Sequence, residues 1–529
     1  MQSFRQYRRM RKDLQESIQS HGLYAATEDV DVARLEKGIR SMNATPKIVL
    51  PDGKRVTVPG VKPHDVSETS ERIDPETLFI VGFDGPDDQL NPKNWSTGRK
   101  WRTLGIVGTT RMLVGWASSI DSAVIKQGQQ EYGVSEVVES LATALFLIAF
   151  GIGSLVAAPL SETVGRNPVY IITLLILMIF TMGSGLAPNL GAQLAFRFLA
   201  GLFGCTPMTT FGGSMSDIFD PIERTYAFPI CSLSFLGPFL APMVGAFVGQ
   251  STHISWCWTE WCMMIMAALV TSAMFFFVLE TYGPVLLGWR AKSLREITGD
   301  QPFVADCSRP FDLLFREIMV ALFTIYLVVF YTVLFGFLTG YEFIFGDTYG
   351  FNQGSVGLTF IGLNVGFLFA FALVPHIYFA YKKRLSKAVA NREKSLPPEE
   401  RLWFAMYGAP WLPISLFWMG WISHPSVSYW SPLIASVAFG FSFQGIFIST
   451  YQYLIDTYEL FAASALVSAT FFRYIAAGAM VVVSILMYSN LGVHWSHVVK
   501  MYFCLDDTGS ICFFYKYGHL IRQRNRKRV

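Results

Sequence analysis

The sequence predicts an all-α membrane protein of twelve transmembrane helices in two six-helix halves, and three observations carry that prediction. The 529 residues are 52% hydrophobic and 15% charged, with a mean hydropathy of +0.37, too apolar for a soluble chain of this size. The charge is unevenly placed: the first hundred residues hold 16 Lys+Arg and 15 Asp+Glu, against 26 and 24 in the other 429. That apolar remainder divides into segments of roughly 20 residues, the length that crosses ~30 Å of hydrocarbon as a helix.

The segments run over residues 103–125, 137–158, 169–186, 190–215, 226–248 and 258–279, then 318–340, 356–380, 402–422, 432–455, 460–487 and 495–515. A polar stretch over 288–316 is too long for a tight helix hairpin and marks the junction between halves. The expected organisation is a polar, disordered cytosolic tail (1–100), an N-terminal half (101–287), a central cytosolic loop (288–316), a C-terminal half (317–515) and a basic tail (516–529). The N-terminus, MQSFRQYRRMRKDLQE, lacks the apolar core of a cleavable signal peptide.

Lys and Arg set the expected orientation. The central loop carries Arg290, Lys292, Arg295, Arg309 and Arg316, and the loop after the eighth segment carries seven more, from Lys382 to Arg401. The loops on the other side show only Lys126, while the tail after Tyr515 is again basic. Both termini are therefore expected in the cytosol, which requires an even number of spans. The sequons at Asn43 and Asn94 would then never meet the glycosylation machinery.

The twelfth segment is unusual because it contains Lys500, Asp506 and Asp507, each costing about 2.5–3.5 kcal/mol near a helix centre. A functional acidic pair, a span tolerated at the bundle edge and an error in the translated sequence are the open readings.

Several function classes are disfavoured. A net charge of +3 without a basic stripe gives no support for nucleic-acid binding. Seven scattered cysteines suggest neither a disulfide framework nor a zinc site. His494 and His497 are the only close histidine pair, too few for a di-iron hydroxylase or desaturase, so no metal and no enzyme is expected. A GxxxxGK[ST] loop is absent, which argues against ATP-driven transport.

The motifs are short but ordered. After the second segment comes Ala158-Pro159-Leu160-Ser161-Glu162-Thr163-Val164-Gly165-Arg166-Asn167-Pro168, a tight turn in which Gly165 permits positive φ and Glu162 and Arg166 can pair or cap. The fifth segment holds Gly237, Ala241 and Gly245 four apart, a smooth face for close helix approach, with Pro238 and Pro242 freeing backbone carbonyls. Ordinary packing also accounts for that face. Asn91-Pro92-Lys93-Asn94-Trp95-Ser96, Arg197-Phe198-Leu199-Ala200-Gly201, Glu280-Thr281-Tyr282-Gly283-Pro284 and Phe514-Tyr515-Lys516-Tyr517-Gly518 stand before the first, in the fourth, after the sixth and at the end of the bundle.

Taken together, over about residues 90–520, these motifs resemble the major facilitator superfamily, in its fungal twelve-span drug:proton antiporter branch. The resemblance implies the major facilitator fold, a gating role for Glu162, Gly165 and Arg166, and an antiport-type helix at Gly237, Pro238, Ala241, Pro242 and Gly245. Departures occur at Ala158, Asn167, Ala241, Ala246 and Cys257, where the family usually has Gly, a basic residue, Gly, Gly and Arg.

Ionisable residues at membrane depth are functional candidates by default. The clearest are Arg111, Asp121 and Arg197, with His376 and Arg473 behind them. Asp121 and Arg197 both fall in the outer half of spans that face the central cavity in this architecture, which makes them a proton-coupling pair; a helix-end Asp121 paired with Lys126 is the plainer alternative. Trp116, Thr206, Tyr326, Tyr331, Phe335, Gln444, Tyr451 and Gln452 sit in the spans expected at the centre, a lining suited to bulky, weakly polar organic molecules. The expected function is a monomeric plasma-membrane pump exporting drugs, toxins or a secreted metabolite, with lipid as its only other partner and the proton gradient in place of a cofactor; a vacuolar membrane remains open. The alternative is proton symport of a sugar or amine. The Leu279-Glu280-Thr281-Tyr282 segment does not resemble sugar porters, and few carboxylates beyond Asp121 and Glu342 are available for an amine.

Overall fold

The computed structural model describes residues 2–25, 47–49, 55–57, 61–63, 79–83, 87–298, 303–304, 318–391, 396–458 and 462–526. Among these, nine helical stretches are long and apolar enough to cross a membrane, beginning with Glu136–Val164 and ending with Leu466–His519. The remaining expected spans appear as helix too, each with a reason for its weaker signal. Thr97–Ala117 is the first span, with Arg99, Lys100, Arg102 and Arg111 diluting its hydropathy. The ninth is broken into Trp403–Gly408 and Trp411–Ile422 around Pro410. The eleventh and twelfth form one continuous run, Ala462–Arg526, bent at Gly492, whose φ of 73° and ψ of 175° are non-helical.

Other spans are locally broken too, the eighth at Phe360 and Leu373 among them. The fourth divides at Cys205 into Leu190–Gly204 and Thr206–Ile218, and the fifth passes through a 3₁₀ turn, Leu233–Leu236. The seventh ends in a π-helical turn, Glu342–Thr348. Such interruptions leave backbone groups to be satisfied by neighbouring side chains, a common feature of helices that move in membranes.

The N-terminal tail, expected to be disordered, is helical over Gln2–Ala25. Tyr7, Met10 and Leu14 fall on one face at helical spacing; Met10 and Leu14 are buried and the Tyr7 ring meets Trp289 edge-on at 6.0 Å. The helix docks where the third and sixth spans end: Asn167 Nδ2 donates to Ser3 Oγ (2.8 Å), the Gln2 side chain to the Phe276 carbonyl (2.6 Å), and Glu280 N–H to Gln6 Oε1 (3.0 Å). The fold also departs from purely α in short strands. Lys47–Val49 pairs with Arg55–Thr57, and Phe79–Val81 lies between Val61–Pro63 and Phe303–Val304, joining tail to central loop.

Candidate functional site

The two halves meet along a seam that holds a cavity of about 100 Å³. Its walls are Ser118, Ser119 and Ser122 from the first span, Pro242 and Ala246 from the fifth, Phe335 to Phe343 from the seventh, Val356 to Phe360 from the eighth, and Val481 and Ile485 from the eleventh. Across its mouth Lys126 Nζ pairs with Glu342 at 2.5 Å, and Gln353 donates to the Ala123 carbonyl at 2.6 Å. Lys126 lies beyond the spans; partial burial lowers its basicity, but the Glu342 carboxylate more than offsets this and holds the ammonium above its ordinary range. The pairing of Asp121 with Lys126 is thus replaced by Lys126 with Glu342.

The opposite end, where the basic loops lie, is closed more tightly. Asp456 at the end of the tenth span accepts from Arg401 at 2.6 Å and pairs with Arg224 at 3.2 Å. Arg401 also crosses the seam to Thr225 Oγ1 (2.6 Å) and the Pro221 carbonyl (2.8 Å), while Gln452 donates to the Arg224 carbonyl at 3.1 Å. These arginine–carboxylate links were not singled out from the sequence, since each residue alone reads as a helix-end charge.

Of the eight residues expected to line the cavity, only Phe335 does so. Gln452 faces a smaller pocket beside Arg401. Trp116, Thr206, Tyr326, Tyr331, Gln444 and Tyr451 are buried in the closed centre of the bundle. The reason is an aromatic seal across the seam: Phe235 meets Phe447 at 4.2 Å and Phe239 meets Phe367 at 4.9 Å, backed by Phe330 on Phe443 at 4.5 Å.

Asp121 and Arg197 do come together, but they point into the N-terminal half and away from the cavity. Arg197 Nη2 bonds both Asp121 Oδ1 and Glu260 Oε1, and Nη1 donates to the Ala117 carbonyl at 3.1 Å. Ser184 donates to the same Glu260 oxygen at 3.0 Å, and neighbouring Glu139 accepts from Gln193 at 3.4 Å. Asp121 Oδ2, Glu260 Oε2 and Arg197 Nε are buried without a hydrogen bond. One guanidinium therefore serves two carboxylates in a buried site. Glu260 was missed; an acid in the first turn of the sixth span was legible by the same membrane-depth argument that found Asp121.

The loop motif is built around a carboxylate from elsewhere. Gly165 adopts φ 111°, and Glu280 Oε2 lies 2.6 Å from where a Cβ would stand. Glu280 accepts the Arg166 N–H (2.9 Å) and the Asn167 N–H (3.1 Å), capping the third span's N-terminus. Burial pushes the Glu280 carboxyl above its usual range, and backbone N–H donors from Tyr282, Arg166, Asn167 and Thr281 pull against that rise. Arg166 spreads over Ser161 (2.6 Å), Asp217 (3.3 Å), Glu162 (3.8 Å) and the Tyr282 ring (4.7 Å). The loop thus ties the ends of the second, fourth and sixth spans together.

The fifth-span motif packs on the first. A Cβ on Gly237 would overlap the Met112 carbonyl, and one on Gly245 would come within 2.9 Å of the Ile120 carbonyl. Pro242 supplies no N–H for the carbonyl four residues earlier, and that Pro238 carbonyl takes Ser119 Oγ–H instead, at 2.7 Å. Ala241 is fully buried, and Ala246 meets the eighth span, 2.6 Å from a Cβ built on Gly357.

In the twelfth span Lys500 is placed away from the bundle edge. The residue is 1% exposed and its Nζ donates to the Gly336 carbonyl (2.6 Å) and Tyr488 Oη (2.8 Å), so its polar end is met by protein dipoles. The side chains of Asp506 and Asp507 lie outside the described residues. No group of three or more potential metal ligands occurs among the described residues.

The chain matches the family model described as Major Facilitator Superfamily over residues 107–495. It is 75% identical to the MFS-type transporter kojT of Aspergillus flavus and of Aspergillus oryzae, with all of both chains covered. It is 33% identical to the MFS-type efflux pump MFS2 of Trichophyton rubrum, over 90% of this chain and 82% of that one. The solved structure of the MFS proton:xylose symporter XylE superposes with a TM-score of 0.61 at 14% identity, covering 80% of this chain and 96% of that chain, a likeness of fold alone. By its matched length, its relatives and its fold, this chain is a multi-pass membrane transporter, not an enzyme, and belongs to the Major Facilitator Superfamily.

Proposed function

We propose that the protein is a proton-coupled antiporter that exports small organic compounds by alternating access, with the basic end cytosolic and the plasma membrane as its site. The supporting observation is that one turn of the first span carries both parts of the machinery. Ser118, Ser119 and Ser122 face the cavity, while Asp121 turns back onto Arg197 and Glu260. Two carboxylates on one guanidinium, with buried Glu139 beside them, leave the cluster negative in excess unless it holds protons, and an uncompensated buried charge costs several kcal/mol (of order 3–5). Proton loss or gain therefore re-aims the turn that forms the cavity wall. The smooth Gly237 and Gly245 face lets the first span slide on the fifth as it does so. Each charge moved down 100 mV supplies about 2.3 kcal/mol, and one pH unit about 1.4. The relative named an efflux pump agrees with the outward direction.

The test is transport of a panel of fluorescent aromatic dyes in proteoliposomes. Wild type is expected to export under an imposed pH gradient, and Asp121→Asn and Glu260→Gln to lose gradient-driven export while keeping exchange of dye between the two sides. Gradient-driven export at wild-type rate in both variants would refute this coupling site.

A further inference from the structure

Seven arginines are buried among the described residues. Five of them, Arg166, Arg197, Arg224, Arg290 and Arg401, each have a carboxylate within ion-pair reach. Arg111 and Arg473 are the most deeply buried, at 1% exposure, and make no ion pair with any described residue. Each rests on aromatic faces instead. Arg111 lies 4.3 Å from the Phe235 ring centre and 4.5 Å from Phe211, and its Nε meets Met208 Sδ at 3.1 Å. Arg473 lies 4.6 Å from the Tyr331 ring and 5.0 Å from Tyr474, and donates to Tyr451 Oη.

The two belong to one constellation. Arg111 is 5.4 Å from the Phe447 ring, Phe447 meets Tyr451 at 4.1 Å, and Arg473 is 5.3 Å from Tyr451. Arg111 Nη1, Arg473 Nε and Tyr331 Oη are buried donors with no hydrogen-bond partner. Arg111 comes from the N-terminal half and Arg473 from the C-terminal half, and both lie about two helical turns, roughly 10–12 Å, below cavity-lining Ser118 and Val481.

Among the described residues the bundle supplies a carboxylate to every other buried arginine and to neither of these two, which leaves room for an acid from outside. The geometry points to a substrate site for a planar aromatic anion: its carboxylate taken by Arg111, Arg473 and Tyr331, and its ring inserted among Phe235, Phe447 and Tyr451. In the closed form the rings occupy the guanidinium faces, and a charged ligand replaces that cation–π contact with charge-assisted hydrogen bonds. Because the ligand touches both halves, its binding draws them together. This deepens the transport reading above, on which it rests, by naming the class of molecule carried; Tyr331 and Tyr451, two of the residues expected from sequence to line the substrate site, belong to it, and Arg111 and Arg473 add positive charge.

The experiment is equilibrium binding to the purified full chain in detergent, read as the shift in melting temperature with 2-naphthoate or its neutral isostere 2-naphthamide. Wild type is expected to bind the anion at least tenfold tighter than the amide. Arg111→Gln and Arg473→Gln should each lose ~10- to 100-fold of naphthoate affinity with naphthamide affinity unchanged, and Arg111→Lys and Arg473→Lys should recover part of it. Equal affinity for the two probes, no binding of either, or an anion preference surviving both Gln variants would overturn the site. The wild-type comparison needs no variant, so misfolding of a mutant leaves it decisive. No proton gradient is present, so anion binding without gradient-driven export would refute the antiport reading alone, and gradient-driven export without anion preference would refute this site alone.

Discussion

The two ends of the central seam are closed by the same chemistry in different surroundings. At the basic end Asp456 is held by Arg224 and Arg401, with side-chain exposures of 14%, 7% and 3%. At the cavity end Lys126 and Glu342 pair at 52% and 33% exposure. An exposed pair contributes about 0–1 kcal/mol and is screened by salt. Removing one partner from a buried network leaves an uncompensated charge at a cost of about 3–5 kcal/mol. The basic-end lock therefore holds the described conformation, and the cavity end is the side that opens at small cost.

The largest expected effect comes from breaking the stronger lock. Asp456→Asn removes the carboxylate that Arg224 and Arg401 share across the seam. The closed form should lose about 3 kcal/mol or more, and the protein should populate a form open at the basic end. Maleimide labelling of a cysteine placed at Ser449, beside Gln452 in the pocket under Arg401, is expected to quicken at least tenfold. An unchanged rate would mean the aromatic seal, not the charges, keeps that end shut.

An intermediate effect should follow from steric disruption of the cavity end. A Cβ on Gly357 would stand 2.6 Å from Ala246 Cβ and 3.3 Å from the Met243 carbonyl, so Gly357→Ala must push the eighth span off the fifth. Overpacking of this kind costs about 1–3 kcal/mol, charged here to the closed form alone. Labelling of a cysteine at Ser122, in the cavity wall, should rise by about 5- to 100-fold, with the melting temperature little changed. A fall in melting temperature with no change in labelling would show that this contact supports the fold in both forms.

The contrast between the ends also marks what could be read from sequence. Span positions were legible because twenty apolar residues admit few alternatives in hydrocarbon, and the Asp121–Arg197 pairing because charge at that depth needs a partner. The N-terminal helix was not, because Tyr7, Met10 and Leu14 form a stripe too thin to outweigh the charges around it. Span number and residue type do not say where the seal falls: Tyr331 and Phe335 share a face, and only the second opens to the cavity. The locks were invisible for another reason. Arg401 and Asp456 are 55 residues apart, and nothing local in either segment announces the other.

The smallest effect discriminates best between the two ends. Glu342→Gln removes the Lys126 partner while keeping a hydrogen-bond acceptor, and Gln353 still donates to the Ala123 carbonyl. The loss should stay below about 1 kcal/mol, so labelling at the Ser122 cysteine should rise no more than about fivefold. At 1 M salt, where the Debye length is about 3 Å, wild type and Glu342→Gln should label alike, whereas Asp456→Asn should keep most of its effect at the basic end because buried pairs are screened much less than exposed ones. If salt erased both differences, the two locks would be equally exposed in the membrane and the asymmetry between the ends would have to come from packing, the aromatic seal at one end and Gly357 against Ala246 at the other.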